Sequence, residues 1–351
     1  MDNNLKIKYI RILYSIHLYP PIHNCGGEAY IHNLNKYLIK QGHEVRVMLQ
    51  RPEQLNYRVP YDWEGVYVMG IKDNLDAYRW ADVLVTHLDF THWTLTLGHD
   101  VGRPVVQIVH NHHEYASIIN AKNPPFIVYN SEWISKTLNY QYPSIVVPPA
   151  VDYDRYNVCE EPEKNEFITL INLNTNKGGR ILQKLAKAFP DKKFLAVKGS
   201  YDNQITEQPD NVFVINNTPD ILPVYKQTRL LIMPSQYESW GMTATEAMCS
   251  GIPVICTPTP GLKENCDYAG NYIDLRKGDL FDEVGNVLDD SDDYNITSLV
   301  NMIKKFDDKK FYKERSEISR QRAKEHDPLE YCKRFENFLY EAQSVKLKNY
   351  I

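Results

Sequence analysis

The sequence lacks a C-x-x-C pair, a membrane-length apolar run, a basic excess and a short internal repeat. Each absence removes a class of protein. Six cysteines, Cys25, Cys159, Cys249, Cys256, Cys266 and Cys332, are scattered through 351 residues. Without ligand spacing among themselves or with nearby histidines they do not spell a zinc site, and they read as reduced, intracellular thiols. No apolar stretch approaches the roughly 20 residues of a membrane span. Met1-Asp2-Asn3-Asn4 is polar where a secretory signal would be apolar, so a soluble, cytoplasmic protein is expected, with peripheral membrane contact left open. Lys plus Arg total 40 against 45 Asp plus Glu, a net charge of −5. A nucleic-acid binder would usually be basic, so nucleic acid is not an expected partner. Solenoids fall with the absence of a repeat.

What is present is a globular composition, 43% hydrophobic and 24% charged, able to bury a full core. At roughly 150 residues per domain the length favours two domains. Tyrosine is abundant, with 25 residues; it suits surfaces for hydroxylated ligands and is equally an ordinary rim and core residue.

Short apolar runs alternate with helical patterns. Strands are expected at Lys8 to Ile16, Val45 to Leu49, Val83 to Val85, Val105 to Val109, Phe126 to Tyr129 and Ile145 to Val147. A helix after Gly26-Gly27 places Ile31, Leu34 and Leu38 on one face and stops at Gln41-Gly42. The charged segment from Cys159 to Glu166 reads as a linker. Strands then resume at Phe167 to Ile171, Phe194 to Val197, Val212 to Ile215, Leu230 to Met233 and Val254 to Cys256. This is an α/β pattern of βαβ units. It predicts two Rossmann-like domains facing across a cleft, over 1–157 and 166–327, with a C-terminal helix over about 328–351 crossing back to the first.

The most informative stretch is Met233 to Thr257, MPSQYESWGMTATEAMCSGIPVICT. A strand ends at Pro234-Ser235, a loop carries Glu238-Ser239-Trp240-Gly241, and a helix follows with Glu246 in its early turns. Glycine lets the backbone approach a ligand closely. A helix start offers N–H groups and a positive dipole end to phosphate. Two carboxylates beside it can accept hydrogen bonds from sugar hydroxyls. The residues alone describe a site for a phosphorylated, hydroxylated ligand; a capping glutamate and an ordinary helix glutamate are the plainer alternative.

The stretch closely resembles the signature of family 4 retaining glycosyltransferases, which have the GT-B fold. Their mark is a glutamate pair spaced as Glu238 and Glu246 are. The resemblance implies that Glu238 contacts the donor sugar and Glu246 the ribose. It gives the diphosphate to the amides of Gly241, Met242 and Thr243. Asn176-Lys177-Gly178 resembles the family's K-G, whose lysine meets donor phosphate. Gly26-Gly27 resembles its glycine loop, which approaches donor phosphate and acceptor, and a turn glycine pair explains it as well. His110 ends a strand where the family often carries a histidine that reaches the sugar. Gln41 to Val45, Asn130 to Trp133 and Pro148 to Asp152 resemble further landmarks. The implied reaction moves a sugar from a UDP- or GDP-linked donor to a hydroxyl of a saccharide, lipid-linked or small-molecule acceptor, with anomeric retention by front-face displacement. It needs no cofactor, no metal and no covalent nucleophile; Glu238, His110 and Lys177 would act catalytically.

One position departs from the pattern. Family members commonly carry an arginine five residues before the K-G lysine, and here Asn172 stands there, expected on the donor side but able to give only a neutral hydrogen bond. Lys198 or Arg229 is expected to supply the missing cation if any residue does. An epimerase of the same fold and an inactive nucleotide-sugar-binding protein therefore stay as alternatives. A dehydrogenase does not fit, since Gly26-Gly27 does not complete G-x-G-x-x-G. His112, His113 and Glu114 beside His110 make a weak metal cluster, being sequence neighbours. Asp152-Tyr153-Asp154 imitates a metal-binding D-x-D of another fold, and Asp289 to Asp293 lacks the spacing and turn glycine of a calcium loop. Tyr57, Tyr61, Trp63 and Trp93 are candidates to stack on an acceptor sugar. Oligomeric state is not legible.

Overall fold

A computed structural model describes residues 9–50, 52, 58–71, 75–112, 124–275 and 295–345. The chain divides into two compact units. One is Met1–His23, Gly27–Ala150 and Leu329–Ile351; the other is Asn24–Gly26 and Val151–Pro328. No described helix is long and apolar enough to cross a membrane.

In the first unit the order is β1 (Arg11–Ile16), α1 (Gly26–Lys40), β2 (Glu44–Leu49), β3 (Tyr61–Trp63), β4 (Val66–Gly70), α2 (Leu75–Trp80), β5 (Val83–His87), α3 (Thr91–Val101), β6 (Val105–Val109), β7 (Phe126–Tyr129), α4 (Glu132–Leu138) and β8 (Ser144–Val146). They build an eight-stranded sheet in the order β3-β4-β2-β1-β5-β6-β7-β8. Every pairing is parallel except β3 with β4. β5 and β6 are buried at every residue, which is why they read as continuous apolar runs. The expected face of α1, Ile31, Leu34 and Leu38, is buried. Gly42 follows it at φ 93°, a conformation suited to glycine.

The second unit contains α5 (Tyr153–Tyr156), β9 (Phe167–Ile171), α6 (Gly179–Ala188), β10 (Lys193–Val197), β11 (Val212–Ile215), α7 (Leu222–Tyr225), β12 (Thr228–Met233), α8 (Met242–Cys249), β13 (Val254–Cys256), α9 (Pro260–Cys266), β14 (Asn271–Tyr272), α10 (Thr297–Lys305) and α11 (Lys309–Glu325). Its sheet is parallel throughout, in the order β11-β10-β9-β12-β13-β14. α6 buries Ile181, Leu182 and Leu185 against this sheet; each such side chain contributes about 1.5–3 kcal/mol.

The segment expected to be a linker is held to the second unit. The Val158 N–H donates to Ser250 Oγ at 2.9 Å, and the Arg320 guanidinium donates to the carbonyls of Cys159 and Glu160 at 2.6 and 3.1 Å. The last helix, α12 (Pro328–Ser344), belongs with the first unit from Leu329 onward. It buries Cys332, Phe335, Phe338, Leu339 and Ala342, the spacing of one helical face. Glu336 accepts from Tyr37 Oη at 2.8 Å and His43 Nε2 at 2.9 Å.

Candidate functional site

In each sheet the chain starts at an inner strand, builds to one side and then resumes on the other. The reversal falls between β1 and β5 in the first sheet and between β9 and β12 in the second. Crevices at the carboxyl ends of such strand pairs are where open α/β sheets bind ligands.

The second unit places most of the expected site residues at its reversal. After β9 the chain makes a tight turn, Thr175–Lys177, capped by Asn174, whose Oδ1 accepts the Lys177 N–H at 2.8 Å. Gly178 then takes φ 101°, and a Cβ there would collide with Pro234, the first residue after β12. The Gln236 N–H donates to Asn176 O at 2.8 Å. These contacts lock the two loops together, so residues 61 positions apart meet. Lys177 Nζ lies 2.6 Å from Glu238 Oε1 and 3.3 Å from Tyr237 O. Ser235 Oγ donates to the same carboxylate oxygen at 2.9 Å. The side chains of Lys177 and Glu238 are 19% and 12% exposed, so the pair is largely withdrawn from water. Burial alone would lower the lysine's pKa; the charge and hydrogen bond of Glu238 outweigh it, and the net shift is upward.

Gly241 opens α8 at φ 86° and ψ 63°. A Cβ there would stand 2.7 Å from Leu262 Cδ2, so glycine is required twice over. Asn265 Nδ2 donates to the carbonyls of Trp240 and Gly241 at 3.1 and 3.0 Å. Gly261 lies where any Cβ would strike the backbone of Glu238 and Ser239. α9 thus fixes the loop that aims the first N–H groups of α8, on Met242 and Thr243, which have no partner inside the helix. One turn on, Glu246 is buried. Its Oε2 accepts from Tyr225 Oη at 2.6 Å, and Tyr156 supplies a second hydrogen bond. Burial raises the Glu246 pKa, and the two tyrosines oppose that shift.

Asn172, in the usual arginine's place, adopts φ 75°. Its Oδ1 accepts from Asn174 N at 3.2 Å and Gln204 Nε2 at 3.1 Å. The side chain lies against Gly199, where a Cβ would collide with it. Asn172 therefore holds loop backbone together. The expectation that Arg229 replaces the missing cation is overturned. Arg229 sits at the amino end of β12, where its guanidinium donates to Glu163 O and Phe306 O at 2.6 Å each. Four strand residues, Leu230 to Met233, separate it from the loop at Pro234, and five rises of about 3.3 Å make roughly 16 Å. Lys198 follows β10 at the carboxyl edge, on the correct side of the sheet.

The first unit brings His110 to its own carboxyl edge, directly after β6. Its Nε2 is 2.9 Å from His87 Nδ1, and a Cβ on Gly27 would lie 3.6 Å from the same nitrogen. Burial lowers the His110 pKa to about 4, with Glu28 opposing and His17 assisting, so the ring is neutral at physiological pH. Gly26 and Gly27 are the first two residues of α1. His112 is buried with its ring 5.9 Å from Trp133; His113, Glu114, Tyr57 and the run Asp289 to Asp293 lie outside the described residues. Asp152 caps α5, accepting from the N–H groups of Asp154 and Arg155. Tyr61 Oη donates to Pro20 O at 2.9 Å, Trp63 is half-buried, and Trp93 is 51% exposed.

Residues 158–274 match the family model described as glycosyl transferases group 1, a span that contains Asn172, Lys177, Tyr225, Ser235, Glu238, Gly241 and Glu246 but not Tyr156. No curated protein matches the sequence. Among solved structures, Anabaena HepE in complex with UDP and glucose superposes with a TM-score of 0.70 at 16% identity, over 96% of this chain and 100% of that one. Sucrose-phosphate synthase from Thermosynechococcus elongatus gives 0.72 at 14% identity, over 94% and 98%. The catalytic domain of starch synthase IV from Arabidopsis thaliana, bound to ADP and acarbose, gives 0.67 at 13% identity, over 96% and 100%. The fold is GT-B. At these identities the likeness is one of fold, and the GT-B frame supplies both reversal points at which the side chains above collect.

Tyr225, Tyr156, Ser235 and His87 were not legible as site residues. His87 carried the one available signal, a polar residue ending an apolar strand, Val83-Leu84-Val85-Thr86-His87.

Proposed function

We propose that the protein is a retaining glycosyltransferase, moving a sugar from a nucleoside diphosphate donor to an acceptor hydroxyl. The observation that carries this reading is the closure of Lys177 onto Glu238 beside the glycine-initiated helix that holds Glu246. All of it lies within the segment matching the glycosyl transferase model. Cation, helix start and two carboxylates suit, in order, a diphosphate, its oxygens, a sugar and a ribose.

In this reading Glu246 accepts hydrogen bonds from the ribose, and its tyrosine partners hold the carboxylate in place. Glu238 meets the donor sugar. The leaving diphosphate gains negative charge as the glycosidic bond breaks. Lys177 and the amides of Gly241, Met242 and Thr243 stabilise that charge, which is electrostatic catalysis aimed at the developing anion. An ammonium has three N–H groups; Glu238 and Tyr237 orient two, and the phosphate takes the third. The acceptor hydroxyl attacks from the face the diphosphate leaves, giving retention without a covalent protein intermediate or a metal. The donor is UDP- or GDP-linked, and the acceptor is a saccharide, lipid-linked or small molecule.

The test is transfer of label from radiolabelled UDP-glucose and GDP-mannose to water or an added acceptor, with thermal shifts by UDP and GDP as the binding readout. Sugar release that depends on Glu238 and Lys177 supports the reading. Interconversion of the donor sugar without release would indicate the epimerase, and nucleotide binding without turnover the inactive binding protein.

A further inference from the structure

Within the second unit, Glu246 is a buried carboxylate whose hydrogen-bond donors are two tyrosines on two other helices. Tyr225 ends α7, and its ring is wholly buried. Its hydroxyl lies 2.6 Å from Glu246 Oε2 and 3.5 Å from Thr243 O, so the single phenol proton goes to the carboxylate. The shorter distance is typical of an O–H donating to an anionic oxygen. Tyr156 ends α5, and its ring meets Tyr225 edge-on, 6.1 Å between centroids at 70°. α5 is held against α8 by Ser250, the residue after that helix. Its Oγ donates to Tyr156 O at 2.6 Å and accepts from Val158 N at 2.9 Å.

An ionised carboxylate has about four lone-pair sites for hydrogen bonds. The two tyrosines fill two of them, which leaves about two. Two acceptor sites on one carboxylate match two adjacent hydroxyls, which a ribose offers and a 2′-deoxyribose does not. The match holds only while Glu246 is an anion, since a protonated carboxyl turns one acceptor site into a donor. Burial works against the anion; the tyrosines work for it, and so does the charge of Arg155. Cys249, on the same helix, also faces this carboxylate. Burial pushes its thiol up to about 12, so it stays neutral, and it faces Asp152 and Arg320 in turn.

We propose that Tyr225 and Tyr156 are positioning residues that set the pentose specificity: they fix the Glu246 carboxylate with acceptor capacity left for a vicinal diol, so that a ribonucleotide is selected over its 2′-deoxy counterpart. This deepens the reading of Glu246 as the ribose contact and rests on it. Neither tyrosine touches the ligand; each acts through the carboxylate. Phenols suit the task, because burial raises both hydroxyls further above the carboxylate range, and their protons stay in place wherever Glu246 is ionised.

The test is calorimetry of UDP and GDP against their 2′-deoxy forms. The wild type should prefer the ribonucleotide about tenfold or more, as expected for one hydrogen bond to a charged group. Tyr225→Phe and Tyr156→Phe each remove only a hydroxyl. Each should cut the preference severalfold at neutral pH, with the 2′-deoxy form affected less. The pH dependence is a readout that lost packing would not move. Loss of either donor should raise the Glu246 pKa further, and ribose binding is present above that pKa and lost below it. As pH is lowered, the preference should therefore begin to fall at a higher pH in the variants than in the wild type. If one variant does not fold, the other still decides. A preference lost in Glu246→Ala but intact in every folded phenylalanine variant, with an unmoved acid limb, overturns the tyrosines' role and leaves Glu246 on the ribose. No preference in the wild type, or one that survives Glu246→Ala, removes Glu246 from the ribose and the proposal with it.

Discussion

Lys177→Ala removes the cation that the structure places against Glu238 at the second unit's reversal point. Two quantities follow. At 2.6 Å and an effective dielectric of about 20, the gross attraction is about 6 kcal/mol. Desolvation of two largely buried ions takes back most of this, so the net worth to stability is about 1–3 kcal/mol. A double-mutant cycle of Lys177→Ala with Glu238→Ala, read by urea unfolding, should return a coupling in that range. The catalytic cost is larger. Asn172 gives at most a neutral hydrogen bond, and Arg229 is bound at the far end of β12. Lys177 thus carries most of the full charge available to the leaving diphosphate, and kcat/KM should fall by more than the roughly 2.7–4 kcal/mol typical of one oxyanion donor. Lys177→Arg keeps charge and should recover part of it. If Lys198 shares the task, Lys177→Ala will be milder and Lys198→Ala comparably costly. Near-wild-type transfer in Lys177→Ala would refute the placement of the diphosphate altogether.

Glu246→Ala should weaken nucleotide binding by about 1.5–3 kcal/mol, the range for hydrogen bonds to a charged group, and unchanged affinity by calorimetry would remove it from the ribose. Gly241→Ala forces an L-residue to φ 86° with its Cβ against Leu262 and should cost about 1–3 kcal/mol of stability by urea unfolding. Asn172→Arg, which would restore the family's usual cation, forfeits both acceptor contacts at an αL position and should destabilise by about 1–3 kcal/mol without raising turnover; a faster enzyme would show that the loop can rearrange. His326 is buried beneath Trp240, and burial, with Arg322 assisting, lowers its pKa to about 4. Its unfolded pKa is about 6.5, so stability is full above that pH and falls by up to about 3 kcal/mol as pH drops toward 4. His326→Gln should flatten the slope between pH 5 and 7 in urea melts, and an unaltered slope would assign it elsewhere.

The strands that build both sheets were legible because a parallel strand buried on both faces is an uninterrupted apolar run. β3 and β4 were not. They form a hairpin whose two-residue turn is Glu64-Gly65, at φ 47° and 86°. Asn or Asp before the glycine would have announced it; here glutamate is held by Lys36 at 2.8 Å and His32 at 3.2 Å. Tertiary contacts fix a turn that local sequence leaves unmarked. The apparent linker failed for the related reason that its charged residues suggested a solvated segment. Its backbone carbonyls are bound by Arg320, which lies more than a hundred and fifty positions away.

The motif glutamates were legible because their chemistry is spaced along one loop and one helix. Their partners were not, because those relations exist only in the strand order. β9 and β12 are neighbours in the sheet but have α6, β10, β11 and α7 between them in sequence, so nothing local marks Lys177 as the cation facing Glu238. The same order decides between cations that look alike in the sequence. Arg229 is nearer to the motif along the chain than Lys177 is, yet it enters β12 at the amino end, while Lys177 leaves β9 at the carboxyl end. In a parallel sheet every strand points the same way. A residue just after a strand can therefore reach a ligand at the carboxyl edge, and a residue at the start of one cannot. By that rule His17, His87, His110, Asn172, Lys177 and Lys198 are all candidates on position alone, and the hydrogen bonds then sort them. Asn172 is spent on loop backbone, His87 on another histidine, and Lys177 on a carboxylate that leaves one N–H for a phosphate.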